Sequence, residues 1–215
     1  METLNIAVFI SGGGTNLQSL IDQMEEGRIQ GRITVVISSK EDAYGLVRAK
    51  AHNIEGITIG KNNYPNVEER ENRIIEVLEE KEIDLIVLAG YLNILGKKVV
   101  ERYNNRIINV HPALIPSFCG KGFHGEKVHQ AVLDYGVKIT GATVHFVDEG
   151  TDTGPIILQG IVEVLEDDNL KTLGEKVLTV EHRLLPKAVS LFAQGRLKVE
   201  GRKVRIIDSQ RGYSF

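Results

Sequence analysis

Short apolar runs alternate with longer amphipathic stretches through the first half of the chain, and few folds accommodate that rhythm. Asn5-Ile6-Ala7-Val8-Phe9-Ile10 has the pattern of a buried strand, followed by a glycine-rich turn and a helix pattern from Asn16 to about Glu25. A strand over 33–38 precedes a helix over 44–52, and a weaker strand over 57–59 precedes a helix over 68–82. Leu85-Ile86-Val87-Leu88-Ala89 is apolar at every position, as a strand covered on both faces requires. A short helix over 97–103 and a fifth strand over 106–110 complete the series. Strands separated by helical segments predict right-handed βαβ units on a parallel sheet. The expected architecture is α/β, a doubly wound, mostly parallel Rossmann-like sheet.

The second half changes character. A loop with Pro112, Pro116, Gly120, Gly122 and Gly125 leads into a helix over 126–135. Strand patterns over 140–147 and 156–164 flank a polar loop, which suits an antiparallel pair at the sheet edge. The longest helical pattern covers 170–193, with Pro186 expected to kink or break it. Residues 197–199 and 204–207 resemble a terminal hairpin. With no repeat or linker, the simplest organisation is one unit over 1–215, with 1–110 as one half and 111–215 as the other.

Composition narrows the function classes. A formal charge of -3 offers no global basic field for nucleic acid. The longest apolar stretch, Leu85 to Leu92, falls far short of the ~20 residues that cross a bilayer. Met1-Glu2-Thr3 runs straight into a strand pattern, so no signal peptide is expected. The one cysteine, Cys119, cannot form an internal disulfide and favours a reducing compartment, so a cytoplasmic location is expected. Cys119 itself reads as a loop thiol without an evident base. His124, His129 and His145 with Glu126 lack the spacing of a zinc site, and no metal is expected.

Two segments carry chemistry. Ser11-Gly12-Gly13-Gly14-Thr15-Asn16 lies between a strand and a helix, where free N–H groups and the helix dipole favour an anion. The alternative is a plain glycine turn. The segment is not a P-loop, having no Gly-Lys-Ser/Thr ending, and Leu17 departs from the dinucleotide fingerprint. Asn109 and His111 stand at i and i+2 near the carboxyl end of a predicted parallel strand, so both side chains point the same way. An amide and an imidazole aimed at one point suit acyl transfer, one donating to an oxyanion and the other also moving a proton. Such an imidazole works better beside a carboxylate, and Asp148, Glu149 and Asp152 are three candidates in one loop closed by Gly154-Pro155.

The segments 11–18, Asn109-Val110-His111-Pro112-Ala113-Leu114-Ile115-Pro116 and Asp148 to Pro155 together resemble the folate-dependent formyltransferases. Within them the first loop and the length resemble the branch that formylates glycinamide ribonucleotide. The resemblance implies that Asn109, His111 and Asp152 are catalytic. It implies that Gly14, Thr15 and Asn16 hold the substrate phosphate and that Glu181 contacts the same substrate. Leu92, Asn93, Ile94 and Leu95 would cradle the folate pterin, with Val147 and Asp148 on its other side. The implied cosubstrate is 10-formyltetrahydrofolate, with no metal, no nucleic acid and no membrane partner, as a monomer or homodimer. Asn93 stands where the family usually has Arg, and Val67 where an Arg that contacts folate is often seen; Arg70, one turn on, is the expected substitute. The stretch 120–125 is longer than in many relatives. Two rival readings are a formyltetrahydrofolate deformylase-like hydrolase and a non-catalytic nucleotide-binding module.

Overall fold

The described residues of the computed structural model are 3–207; Met1, Glu2 and 208–215, at the ends of the expected single unit, lie outside them. The chain order is β1 (Leu4–Ile10), α1 (Thr15–Glu25), β2 (Gly31–Ser38), α2 (Tyr44–Ala51), β3 (Glu55–Thr58), α3 (Val67–Glu80), β4 (Leu85–Leu88), α4 (Lys97–Arg102) and β5 (Ile107–His111). It continues through α5 (Glu126–Tyr135), β6 (Ile139–Phe146), β7 (Ile156–Glu163), α6 (Leu170–Ala193), β8 (Leu197–Glu200) and β9 (Lys203–Ile206). All strands join one sheet in the order β3-β2-β1-β4-β5-β6-β7-β9-β8. The pairs from β3 to β5 are parallel, and β5–β6 and β6–β7 are antiparallel. This is the doubly wound, mostly parallel α/β fold with an antiparallel C-terminal portion.

Period-two geometry shows why the sheet takes helices on both faces. Ile6, Val8 and Ile10 join one buried cluster with Leu17 and Leu20 of α1 and Leu184 and Leu185 of α6. Ala7 and Phe9, between them in sequence, join the opposite cluster with Ile74 and Leu78 of α3 and Val99 of α4. Asn66 caps α3 through Glu68 N and Glu69 N, and Asn169 with Thr172 forms a capping box on α6.

Two expectations need correction. The antiparallel β6–β7 pair is not at the sheet edge, because the β8–β9 hairpin adds beyond it. The contact with β7 is a single parallel pairing, Ile156 with Lys203, set by tertiary docking that local sequence patterns do not encode. Nor does Pro186 break α6, which runs from Leu170 to Ala193 with Pro186 buried inside it. Proline removes the donor that the His182 carbonyl would otherwise receive, a cost of about 3 kcal/mol. Burial of Leu173, Val177, Leu184, Leu185, Ala188 and Val189 along the same helix outweighs that loss. Among the described residues no helix is long and apolar enough to cross a membrane.

Candidate active site

Beyond the carboxyl ends of β4 and β5 lies a cavity of about 410 Å³, lined by residues 90–95, 109–112, 120–125 and 147–152 among others. Strand β5 delivers Asn109 and His111 to its wall, two residues apart as pleating requires. His111 is nearly buried, and its Nε2 lies 2.9 Å from the Phe118 carbonyl. A carbonyl only accepts, so Nε2 carries the proton, and Nδ1 is the nitrogen left for proton exchange. Nδ1 stands 3.6 Å from Asp152 Oδ2, an ion-pair separation longer than a hydrogen bond.

The three carboxylates of the polar loop are used differently. Asp148 Oδ1 accepts from Gly150 N at 3.1 Å and from the Thr153 hydroxyl at 2.5 Å, bracing the turn. Glu149, at the rim of the cavity, lies 3.5 Å from Lys97. Asp152 is the one of the three that faces His111 and His145, its side chain 11% exposed and its backbone left-handed at φ 57°. Its Oδ2 accepts from Gly120 N at 2.9 Å, which ties the 148–152 loop to the 120–125 loop.

His145 belongs to this cluster, although sequence reasoning weighed it only as a metal ligand. It is opposite Asn109 in the β5–β6 register. Its Nδ1 lies 2.8 Å from the Phe146 carbonyl and therefore donates, so its Nε2 accepts from Asn109 Nδ2 at 3.1 Å. The same Nε2 is 3.7 Å from Asp152 Oδ1. Burial is the largest influence on the ring and lowers its pKa; the Phe146 bond and Asp152 oppose it. A strand pattern over 140–147 is legible, but which residue faces Asn109 depends on register.

Leu92, Asn93, Ile94, Leu95, Val147 and Asp148 line the cavity. Leu92 is 51% and Ile94 79% exposed, and apolar groups left open at a cavity mark a ligand surface. Ser11 Oγ accepts from Leu92 N at 2.9 Å and shares a hydrogen bond with Ser39 Oγ at 2.6 Å, joining the first loop to the 92–95 segment. Arg70 is not brought to the cavity wall: its guanidinium donates to the Tyr64 carbonyl at 2.8 Å.

Gly14, Thr15, Asn16 and Glu181 lie off that cavity, around the start of α1. Gly14 has φ 70°, and a Cβ there would fall 2.6 Å from Gly45 Cα, so only glycine fits. No side chain caps α1, which leaves N–H groups at its first turn open to an anion. Asn16 Nδ2 donates to Glu181 Oε2 at 2.7 Å, joining α1 to α6. Both residues are 7% exposed, and Asn16 Oδ1 is buried without a protein partner. Burial pushes the Glu181 carboxyl up to about 7, against the opposing pull of the Asn16 bond. Among the described residues no group of three His, Cys, Asp or Glu side chains is placed to hold a metal ion.

An amide, an imidazole and a carboxylate at the carboxyl end of a parallel strand define a group-transfer enzyme on a doubly wound sheet. Residues 4–189 match the family model described as formyl transferase, and the chain belongs to that family. It is 39% identical, over 91% of its own length and 90% of the other's, to phosphoribosylglycinamide formyltransferase of Haemophilus influenzae. It is 42% identical over 90% of its length to the trifunctional purine biosynthetic protein adenosine-3 of Bos taurus, of which it spans only 19%. Among solved structures, glycinamide ribonucleotide transformylase 1 from Symbiobacterium toebii superposes with a TM-score of 0.90 at 45% identity. That match covers 96% of this chain and 95% of the other.

Proposed function

We propose that this chain transfers the formyl group of 10-formyltetrahydrofolate to the amine of N1-(5-phospho-D-ribosyl)glycinamide, a step of purine biosynthesis, in the cytoplasm. The observation that carries this reading is the convergence of Asn109, His111 and Asp152 on one cavity, with His111 Nδ1 facing the Asp152 carboxylate. The names of the relatives support the choice of substrates. In this reading residues 1–110 supply the phosphate site at Gly14, Thr15 and Asn16, and Glu181 reaches the same substrate from α6. Residues 111–215 supply the 147–152 wall of the folate cavity, opposite Leu92, Asn93, Ile94 and Leu95.

The chemistry follows from the placement. As the substrate amine attacks the formyl carbon, the carbonyl electrons move to oxygen and a tetrahedral oxyanion forms. Asn109, its amide oriented by His145, has a second N–H to donate to that oxygen. His111 takes the proton of the attacking amine at Nδ1, and Asp152 balances the imidazolium charge at ion-pair distance. Collapse of the intermediate breaks the bond to the folate nitrogen, which receives the proton. Acid–base help of this kind contributes roughly 10²–10⁴-fold.

The deciding assay follows formylfolate consumption with and without glycinamide ribonucleotide. Formylation that requires the amine and collapses in His111→Ala and Asp152→Asn is the expected result. Hydrolysis without an acceptor would support a deformylase, and binding without turnover a nucleotide-binding module.

A further inference from the structure

A second groove, of about 500 Å³, opens between the end of α1, the C-terminal half of α6 and the residue before β8. It shares no residue with the catalytic cavity. Helix α1 has 11 residues, so its C-terminal end stands about 16 Å from the Gly14 turn at its start. Arg28, Arg183, Lys187 and Arg196 all line the groove, and no aspartate or glutamate does. The catalytic cavity, by contrast, has Asp148, Glu149 and Asp152 beside its lysines. Four cations gathered in one concavity stand out in a chain of formal charge -3. Two of them are engaged: Arg28 with Glu26 at 3.0 Å and Gln23 at 3.2 Å, and Arg196 with the Ile207 carbonyl at 2.8 Å. Arg183 and Lys187 are exposed and make no ion pair or side-chain hydrogen bond among the described residues. They stand at i and i+4 on α6, where side chains share a face and like charges repel. An anion seated between them removes that repulsion. The Ser190 hydroxyl, a turn further on, donates to the Arg28 carbonyl at 3.1 Å and fastens the two walls to each other.

We infer that this groove binds the phosphate group of a small molecule, at a site separate from the one that serves formyl transfer. Its volume is that of a small-ligand pocket. An arginine fork beside a lysine ammonium suits phosphate, whose several oxygens and double charge can meet both cations at once. Buried Ile29, Pro186 and Leu191 back the groove and leave the polar contacts to the cations. Inorganic phosphates and phosphorylated metabolites share this chemistry, so the test separates the two sources.

Pyrophosphate, ADP and the dicarboxylate succinate are titrated calorimetrically into wild type and the double variant Arg183→Met/Lys187→Met, with glycinamide ribonucleotide saturating the start of α1. Pyrophosphate fills one site on wild type, and the double variant binds it about ten-fold more weakly. That is the range of two exposed ion pairs of up to about five-fold each, and the difference shrinks as salt rises. The variant keeps the wild-type kcat and KM values when no pyrophosphate is present, and Arg183→Lys alone binds as wild type does. ADP that binds more tightly than pyrophosphate supports a phosphorylated metabolite as the ligand, and equal affinity supports the inorganic anion. Wild type that binds neither, a double variant that binds both undiminished, or succinate that binds as tightly as pyrophosphate overturns the site. A double variant with lowered kcat before any phosphate is added overturns its separateness. Should glycinamide ribonucleotide not bind, the formyl-transfer reading fails, and the comparison of wild type with the variant still judges the groove.

Discussion

Asn109 and His145 face each other across the β5–β6 ladder, and the carboxamide nitrogen of Asn109 donates to His145 Nε2 at 3.1 Å. The Phe146 carbonyl holds the opposite ring nitrogen protonated, so the amide of Asn109 has one orientation that satisfies the pair. In the proposed mechanism the oxyanion donor is therefore oriented by the His145 ring beside it.

His145→Leu should keep the apolar packing of β6 while removing that acceptor. We expect kcat to fall about 10- to 100-fold with little change in KM, short of the ~10²–10³ cost of deleting an oxyanion donor outright. Steady-state kinetics beside a thermal melt check this, and a kcat within two-fold of wild type would show that Asn109 needs no such support.

Gly14→Ala tests the turn before α1. The new Cβ meets the Gly45 backbone at 2.6 Å, and φ 70° is unfavourable for alanine, so the loop must move. A loss of about 1–3 kcal/mol in denaturant unfolding is expected, with a raised KM for glycinamide ribonucleotide and a smaller effect on folate. Unchanged stability would mean that the 12–16 loop and α2 do not pack as described.

Much of this was legible in the chain because local periodicity governs it. The alternation of Ile6, Val8 and Ile10 with Ala7 and Phe9 tells a two-faced strand, and the spacing of Asn109 and His111 aims both at one place. The choice among Asp148, Glu149 and Asp152 was not legible from the residues themselves. It depends on Thr153 and Lys97 engaging the first two, and these contacts exist only once the loop has folded. His145 escaped for a related reason, since strand register is a tertiary property. The hairpin of β8 and β9 was visible, but its docking beyond β7 was not.

Cys119 lies beside the site without belonging to its chemistry. Burial is the larger cause that pushes its thiol pKa up, and the Asp152 charge adds to it, while Sγ lies 3.3 Å from the Pro116 carbonyl. Both effects deplete the thiolate, which is the reactive form. Alkylation by iodoacetamide near pH 7.5 should run slower than for a free cysteine, and Asp152→Asn should speed it by removing a negative neighbour. Mass spectrometry over time gives the rates; a thiol that reacts faster than free cysteine would contradict the placement.

Glu181 supplies the pH dependence. Its ordinary carboxyl value is 4.5, and burial in the folded protein pushes it up to about 7. The folded state therefore binds more protons than the unfolded state between those values, and unfolding free energy falls as pH rises through that window. The stabilisation from a protonated Glu181 is fully present below about 4.5 and lost above about 7, an effect of order 3 kcal/mol. Glu181→Gln keeps an oxygen acceptor for Asn16 and removes the titration, so this part of the pH dependence should vanish. Asn16→Leu removes the bond that pulls the carboxyl down and should move the decline to higher pH. Urea unfolding of the three proteins from pH 4.5 to 8 reads both effects. The assignment to Glu181 would be wrong if the glutamine variant retained the wild-type slope between pH 5 and 7.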